Sequence, residues 1–281
     1  MDILIEPLRY AFMARGLLAA VMVGAVCAVV GTYVVLRGMA FFGDALAHSI
    51  LPGVAIGYLV GGGARGPVFW GGLITAVLTS LGIGAVAKRA EVKEDTAIGI
   101  LFAGMFALGI ALISTVRTYT ADLTHFLFGD VLGVSSGDLL LTAAFGGLVL
   151  LTVAAFYKEF LVLSFDPVLA ATLRLPVRFF EYLLLILIAV TIVVALQTVG
   201  VALMVAMLVT PAATAYLLTQ RLPVMMLLAA LIAAVSGVVG LYLSYYLGIA
   251  SGAAIVLTCT AFFLLALALA PRRGWIWQRR H

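Results

Sequence analysis

Asp44 and His48 are the two residues best placed to do chemistry in this chain. Across residues 38–63 they are the only members of the Asp, Glu, Lys, Arg and His set. A carboxylate and an imidazole four positions apart share one helix face, with Cβ atoms roughly 5–6 Å apart. Oxygen and nitrogen donors at that reach can hold one divalent cation. The same pair can instead hydrogen-bond to each other, or relay a proton. Pro52 follows four residues after His48, so the His48 carbonyl loses its helical N–H partner and offers a further oxygen. One carboxylate and one imidazole are too few for a tight site, whereas two copies about a two-fold axis supply two of each. Gly53, Gly57 and Gly61 recur every fourth residue, a small-residue face that allows close helix packing and so favours such a pairing.

The elements that hold this pair are membrane-spanning. Of 281 residues 65% are hydrophobic and 10% charged, and the mean hydropathy is +1.26. Soluble domains carry about 25% charged residues, so lipid is the solvent here. Uncharged or nearly uncharged runs cover residues 16–36, 38–63, 66–87, 96–116 and 139–157. Each suits a span of roughly 20 residues. Residues 182–220 hold two spans if the chain turns near Gln197–Gly200, and residues 222–271 hold two more if it breaks at Gly248–Gly252. The fold class is therefore an all-α membrane bundle of eight or nine crossings in one domain, eight if Pro211 makes a segment short or re-entrant. Counted from Met39 at 1.5 Å per residue, Asp44 lies about 8 Å and His48 about 14 Å into its segment. A charge placed there costs at least about 2.5–3.5 kcal/mol, so such residues face a pathway or a partner.

Orientation follows from lysine and arginine. With the N-terminus outside and nine crossings, 12 of the 16 basic residues fall inside and 4 outside. This gives an outer N-terminus and a cytoplasmic C-terminus. The net charge of +4 thus serves topology, and no nucleic-acid partner is expected. The terminal RRGWIWQRRH, with Trp275 and Trp277 among arginines, reads as an interfacial anchor. Asp2 and Glu6 stand where a basic leader is needed, so no cleaved secretory signal is expected.

Two connections are more than bare linkers. On the inner side, Ser164-Phe165-Asp166-Pro167 provides an N-cap and a proline for a short helix over 165–176. It reads either as an interfacial loop or as a docking element for a cytoplasmic partner, with Leu169, Ala170, Ala171 and Arg174 alongside Phe165, Asp166 and Pro167. On the outer side, residues 117–138 combine acids with His125, Phe126 and Phe128. They read as a structured or re-entrant loop that either gates a pathway or packs on the bundle.

Other chemistry is excluded or weak. Cys27 and Cys259 lie in apolar runs without metal-ligand spacing, and Met204 and Met207 read as core. None of the three lysines follows a glycine, so no phosphate-binding loop of the G-x-x-x-x-G-K type is present. There is no H-E-x-x-H, which weighs against an intramembrane metalloenzyme. The chain is read as a non-enzyme with no permanently bound cofactor.

The stretch Met39-Ala-Phe-Phe-Gly-Asp-Ala-Leu-Ala-His-Ser-Ile-Leu-Pro-Gly53 resembles the second-helix signature of the manganese/zinc/iron permeases of ATP-binding-cassette importers. Lys93-Glu-Asp-Thr-Ala-Ile-Gly-Ile100, Leu123-Thr-His-Phe-Leu-Phe-Gly-Asp-Val-Leu132 and Thr210-Pro-Ala-Ala-Thr214 match in order. The resemblance covers nearly the whole chain. It implies a homodimeric permease in the bacterial inner membrane, cytoplasmic ATPase subunits, and an extracellular metal-binding protein that delivers the ion. It also implies that Asp44 and His48 ligate a transported Mn²⁺, Zn²⁺ or Fe²⁺ and that 165–176 is the coupling helix. The Leu-Thr-His-Phe-Leu-Phe-Gly stretch resembles manganese/iron members more than zinc members. Where the family reads Leu-Gly-Leu-Pro, this chain has Leu173-Arg-Leu-Pro176. The rival reading is a proton-coupled secondary transporter with Asp44 and His48 as its relay.

Overall fold

The computed structural model describes residues 6–62, 64–115 and 131–270. Among them the chain is helical and contains no strand. A 3₁₀ turn at Pro7–Arg9 leads into α1 (Ala11–Leu36). Then come α2 (Phe42–Ser49), α3 (Leu51–Gly61), α4 (Arg65–Arg89) and α5 (Glu94–Ser114). After a second 3₁₀ turn at Val131–Gly133 follow α6 (Ser136–Ala155), α7 (Tyr157–Phe165), α8 (Pro167–Thr172), α9 (Val177–Val199), α10 (Val201–Leu218), α11 (Leu222–Leu247) and α12 (Ser251–Leu269). With α2 and α3 counted as one span, nine described segments are long and apolar enough to cross a membrane.

The breaks fall where backbone chemistry demands them. Gly200, at φ 83° and ψ 170°, separates α9 from α10, and Gly248 closes α11 in the left-handed region, a conformation that glycine adopts without a Cβ penalty. Pro211 lies inside a continuous α10, which is itself long and apolar enough to cross, so among the described residues there are nine candidate spans. The span around Asp44 is jointed, whereas the sequence pointed to one run from residue 38. Gly38 and Met39 donate to Val35 and Val34 and end α1 in a reversed turn, so α2 begins only at Phe42. The second discontinuity, at Ile50, follows from Pro52, whose missing N–H interrupts the ladder. The His48 carbonyl loses its helical partner at Pro52, and the nearest backbone N–H to it is that of Ile50.

α1 runs through the centre, packed on α6, α9, α10 and α11, while α2 to α5 form a second group joined to it through α9. Tyr33, Phe42, Leu46, Ile50, Ile188, Ile192 and Leu196 are fully buried where the two groups meet. Lipid is as apolar as these side chains, so close packing rather than escape from water holds helices together. The glycine ladder shows this. A Cβ on Gly53 would lie 2.1 Å from the Gly71 carbonyl oxygen, and one on Gly57 would lie 2.3 Å from that of Pro67. The small-residue face of α3 is thus covered by α4 of the same chain. It is not available to a second copy, contrary to the expectation that it favours pairing.

Charges gather at helix ends. Lys88, closing α4, pairs with Glu181 in α9 and lies 5.7 Å from the Tyr182 ring centroid. Burial lowers the pKa of the Arg37 guanidinium, just beyond α1, while Glu94 and Glu181 raise it.

Candidate functional site

α2 is eight residues long, and six of them are buried; the two that are not are Asp44 and His48. Their side chains are 38% and 29% exposed. The helix therefore turns one half-open polar strip outward and locks every other face into the bundle. Asp44 lies in the first turn and His48 in the last, where the helix dipole favours an anion and a cation respectively.

His48 Nε2 and Asp44 Oδ1 are 3.6 Å apart, beyond hydrogen-bond length. The expected i, i+4 juxtaposition is present, but the two groups do not satisfy each other. His48 Nδ1 is buried without a hydrogen-bond partner among the described residues. The pair is thus a set of donors left open to something else. Among the described residues no third His, Cys, Asp or Glu joins them in a metal-binding group, so one protomer offers an incomplete ligand set.

Aromatic side chains frame the strip. Phe106 of α5 meets the His48 ring edge-to-face at 5.6 Å, and Phe102 lies 6.1 Å from it. Phe41, just before α2, packs on Phe102 at 6.0 Å. Sequence reasoning passed over Phe102 and Phe106, because an aromatic pair at i, i+4 is ordinary in an apolar helix. Only their location opposite His48 marks them.

The proposed docking element is shorter than the sequence indicated. Phe165 ends α7, and the short helix itself is α8, Pro167–Thr172. Asp166 caps it, its carboxylate accepting from the N–H groups of Val168 at 3.0 Å and Leu169 at 2.9 Å. Such a cap contributes about 1 kcal/mol. Leu175 and Arg174 close the helix by donating to Ala170 and Ala171. This closing turn places Arg174 at φ 57°, in the left-handed region where glycine is the easy residue. The departure from Leu-Gly-Leu-Pro therefore changes the residue and not the turn. Phe165, Asp166, Pro167, Leu169, Ala171 and Arg174 are exposed. Ala170, by contrast, is buried, with 1% of its surface exposed, and packs inward from the helix.

His125, Phe126 and Phe128, read as a candidate gate, lie outside the described residues, as do Trp275 and Trp277. Of the 117–138 connection, residues 131–138 are described. Asp138 there belongs to the first turn of α6, where it forms a capping box with Ser135 and accepts from Gln197 at 3.3 Å.

Residues 9–270 match the ABC 3 transport family. The chain is 49% identical to the manganese transport system membrane protein MntC of Halalkalibacterium halodurans, over 96% of this chain and 91% of the relative. It is 38% identical to the chelated iron transport system membrane protein YfeD of Yersinia pestis, over 93% of this chain and 86% of that one. Among solved structures, PsaBC from Streptococcus pneumoniae in complex with Fab superposes with a TM-score of 0.85 at 38% identity, covering 98% of both chains.

Proposed function

The chain belongs to the ABC 3 transport family, and from that premise we propose that it is the permease subunit of an importer for a divalent transition metal, manganese foremost. The observation that carries the reading is the open Asp44–His48 strip: two donors on one face of a short locked helix, 3.6 Å apart and unbridged. Carboxylate oxygen and imidazole nitrogen suit Mn²⁺ and accept Fe²⁺ and Zn²⁺. Manganese is favoured because MntC, at 49% identity, is named for manganese transport. Iron remains an alternative cargo in view of YfeD.

A second copy of this chain completes the site by adding its own carboxylate and imidazole. The chain contains no nucleotide-binding loop of its own, so ATP is hydrolysed on separate subunits, which dock on the exposed apolar residues Val168 and Leu169 of α8. The basic-residue asymmetry supports a cytoplasmic α8 and C-terminus, and a metal-binding protein delivers the ion from the other side. The proton-coupled alternative rests on the same Asp–His pair and on no observation of its own.

The test is transport in proteoliposomes. The purified permease, reconstituted with its ATPase subunits, should take up Mn²⁺ only when ATP is supplied, and Asp44→Asn should abolish the flux. Uptake that follows a pH gradient without ATPase or ATP would overturn the reading in favour of a proton-coupled carrier.

A further inference from the structure

α5 packs against both halves of the jointed span, α2 and α3, and His48 is among the residues it meets. Its residues Phe102, Phe106 and Gly109 lie at i, i+4 and i+7, on one helix face. At the lower end of that face Ile98 is fully buried. At the upper end a Cβ on Gly109 would lie 2.5 Å from Leu51 Cβ and 3.1 Å from the Pro52 nitrogen. Bare glycine thus seats α5 directly on the joint between α2 and α3. Between these two fixed points the Phe102 and Phe106 rings stack on each other at 5.8 Å, and both stand against the imidazole.

A metal-ligating histidine ordinarily has its ring fixed by a hydrogen bond from its second nitrogen. His48 has none among the described residues, since Nδ1 is buried and unpartnered while Nε2 faces Asp44. What fixes the ring plane instead is contact with aromatic faces. We infer that Phe102 and Phe106 are positioning residues for His48: they hold its imidazole so that Nε2 points into the strip beside Asp44. This rests on the reading that Asp44 and His48 ligate the cargo.

An imidazole oriented by packing alone can rock. Such a ligand lets an ion leave, which a transport site requires. It also makes the aromatic pair matter most for metals that depend on the nitrogen donor. Zn²⁺ relies on imidazole more than Mn²⁺, which is content with oxygen. Loosening the ring should therefore weaken Zn²⁺ binding more than Mn²⁺ binding, an asymmetry that general destabilisation of the bundle does not produce.

The experiment is direct binding of MnCl₂ and ZnCl₂ to the purified full-length permease in lipid nanodiscs, with melting temperature recorded for every variant. Phe106→Ala and Phe102→Ala should weaken Zn²⁺ binding about 10-fold, the low end for loss of a ligand's support, with a clearly smaller loss for Mn²⁺. Phe106→Tyr, which keeps the ring, should restore both. Phe106→Leu, which keeps most of the bulk, is the fallback where alanine prevents folding, and it should reproduce the Zn²⁺-weighted loss. The inference is overturned if affinities stay within twofold of wild type, or if both metals weaken equally with a falling melting temperature. His48→Ala separates the two levels of the argument. If it abolishes Zn²⁺ binding while the phenylalanine variants bind normally, positioning fails and the site stands. If it binds both metals as wild type does, the assignment of the site itself fails.

Discussion

Replacing Gly53 with alanine tests whether the glycine face of α3 belongs to the protomer or to a pairing surface. The added methyl would lie 2.1 Å from the Gly71 carbonyl oxygen and 2.1 Å from Thr75 Oγ1, against the 3.4 Å at which ordinary contact begins. Rotation within α3 gives no relief, because a Cβ added at Gly71 or at Gly57 would likewise lie 2.2 or 2.3 Å from the opposite backbone. α3 and α4 must therefore move apart by more than an ångström, which opens the whole ladder. Overpacking of this kind costs about 1–3 kcal/mol, and meeting backbone rather than a flexible side chain puts it at the upper end. At about 2–4 °C per kcal/mol, a 3 kcal/mol loss lowers the melting temperature by about 6–12 °C. The assay is thermal unfolding of the detergent-purified protein, with oligomeric state measured in parallel by light scattering. Gly99→Ala in α5 is the control, since nothing lies within 4 Å of its added Cβ, and it should melt at or above wild type. A Gly53→Ala protein of normal melting temperature that no longer forms dimers would refute the reasoning, because the face would then lie between copies.

Two further outcomes follow from the site and the coupling region. Asp44→Asn keeps shape and removes charge from a half-exposed position. It should express and melt at or above wild type while losing metal uptake at every pH; a sharp fall in melting temperature with residual transport would make the pair structural. Arg174→Gly relieves a left-handed residue worth about 1–2 kcal/mol and returns about 0.4–1 kcal/mol through a freer unfolded chain, so stability should hold or rise slightly, whereas Arg174→Val should lower it; a clear loss on Arg174→Gly in thermal unfolding would show that the side chain itself holds the turn.

Much was settled by the sequence alone because a bilayer imposes simple rules. Backbone groups in hydrocarbon must bond within their own helix, so long apolar runs are helices. The interruptions at Gln197–Gly200 and Gly248–Gly252 mark ends that the structure places at Gly200 and Gly248. The rarity of charge in lipid singled out Asp44 and His48, and helical period put them on one face. Asp166 and Pro167 announced a short capped helix for the same local reason.

Tertiary structure decided what local rules cannot reach. A glycine repeat records that some backbone comes close, not which one, and the partner of Gly53 turned out to be Gly71 of the next helix. Phe102 and Phe106 carry no signal in an apolar helix, and only the seating of α5 on the joint at Leu51 and Pro52 brings them to His48. Ala170 and Leu169 are adjacent in sequence, yet one is buried and the other exposed, because the orientation of so short a helix is fixed by what it packs against. Composition and period act along the chain and are legible there. Which faces meet depends on steric fit between distant segments, and that exists only once the helices are packed.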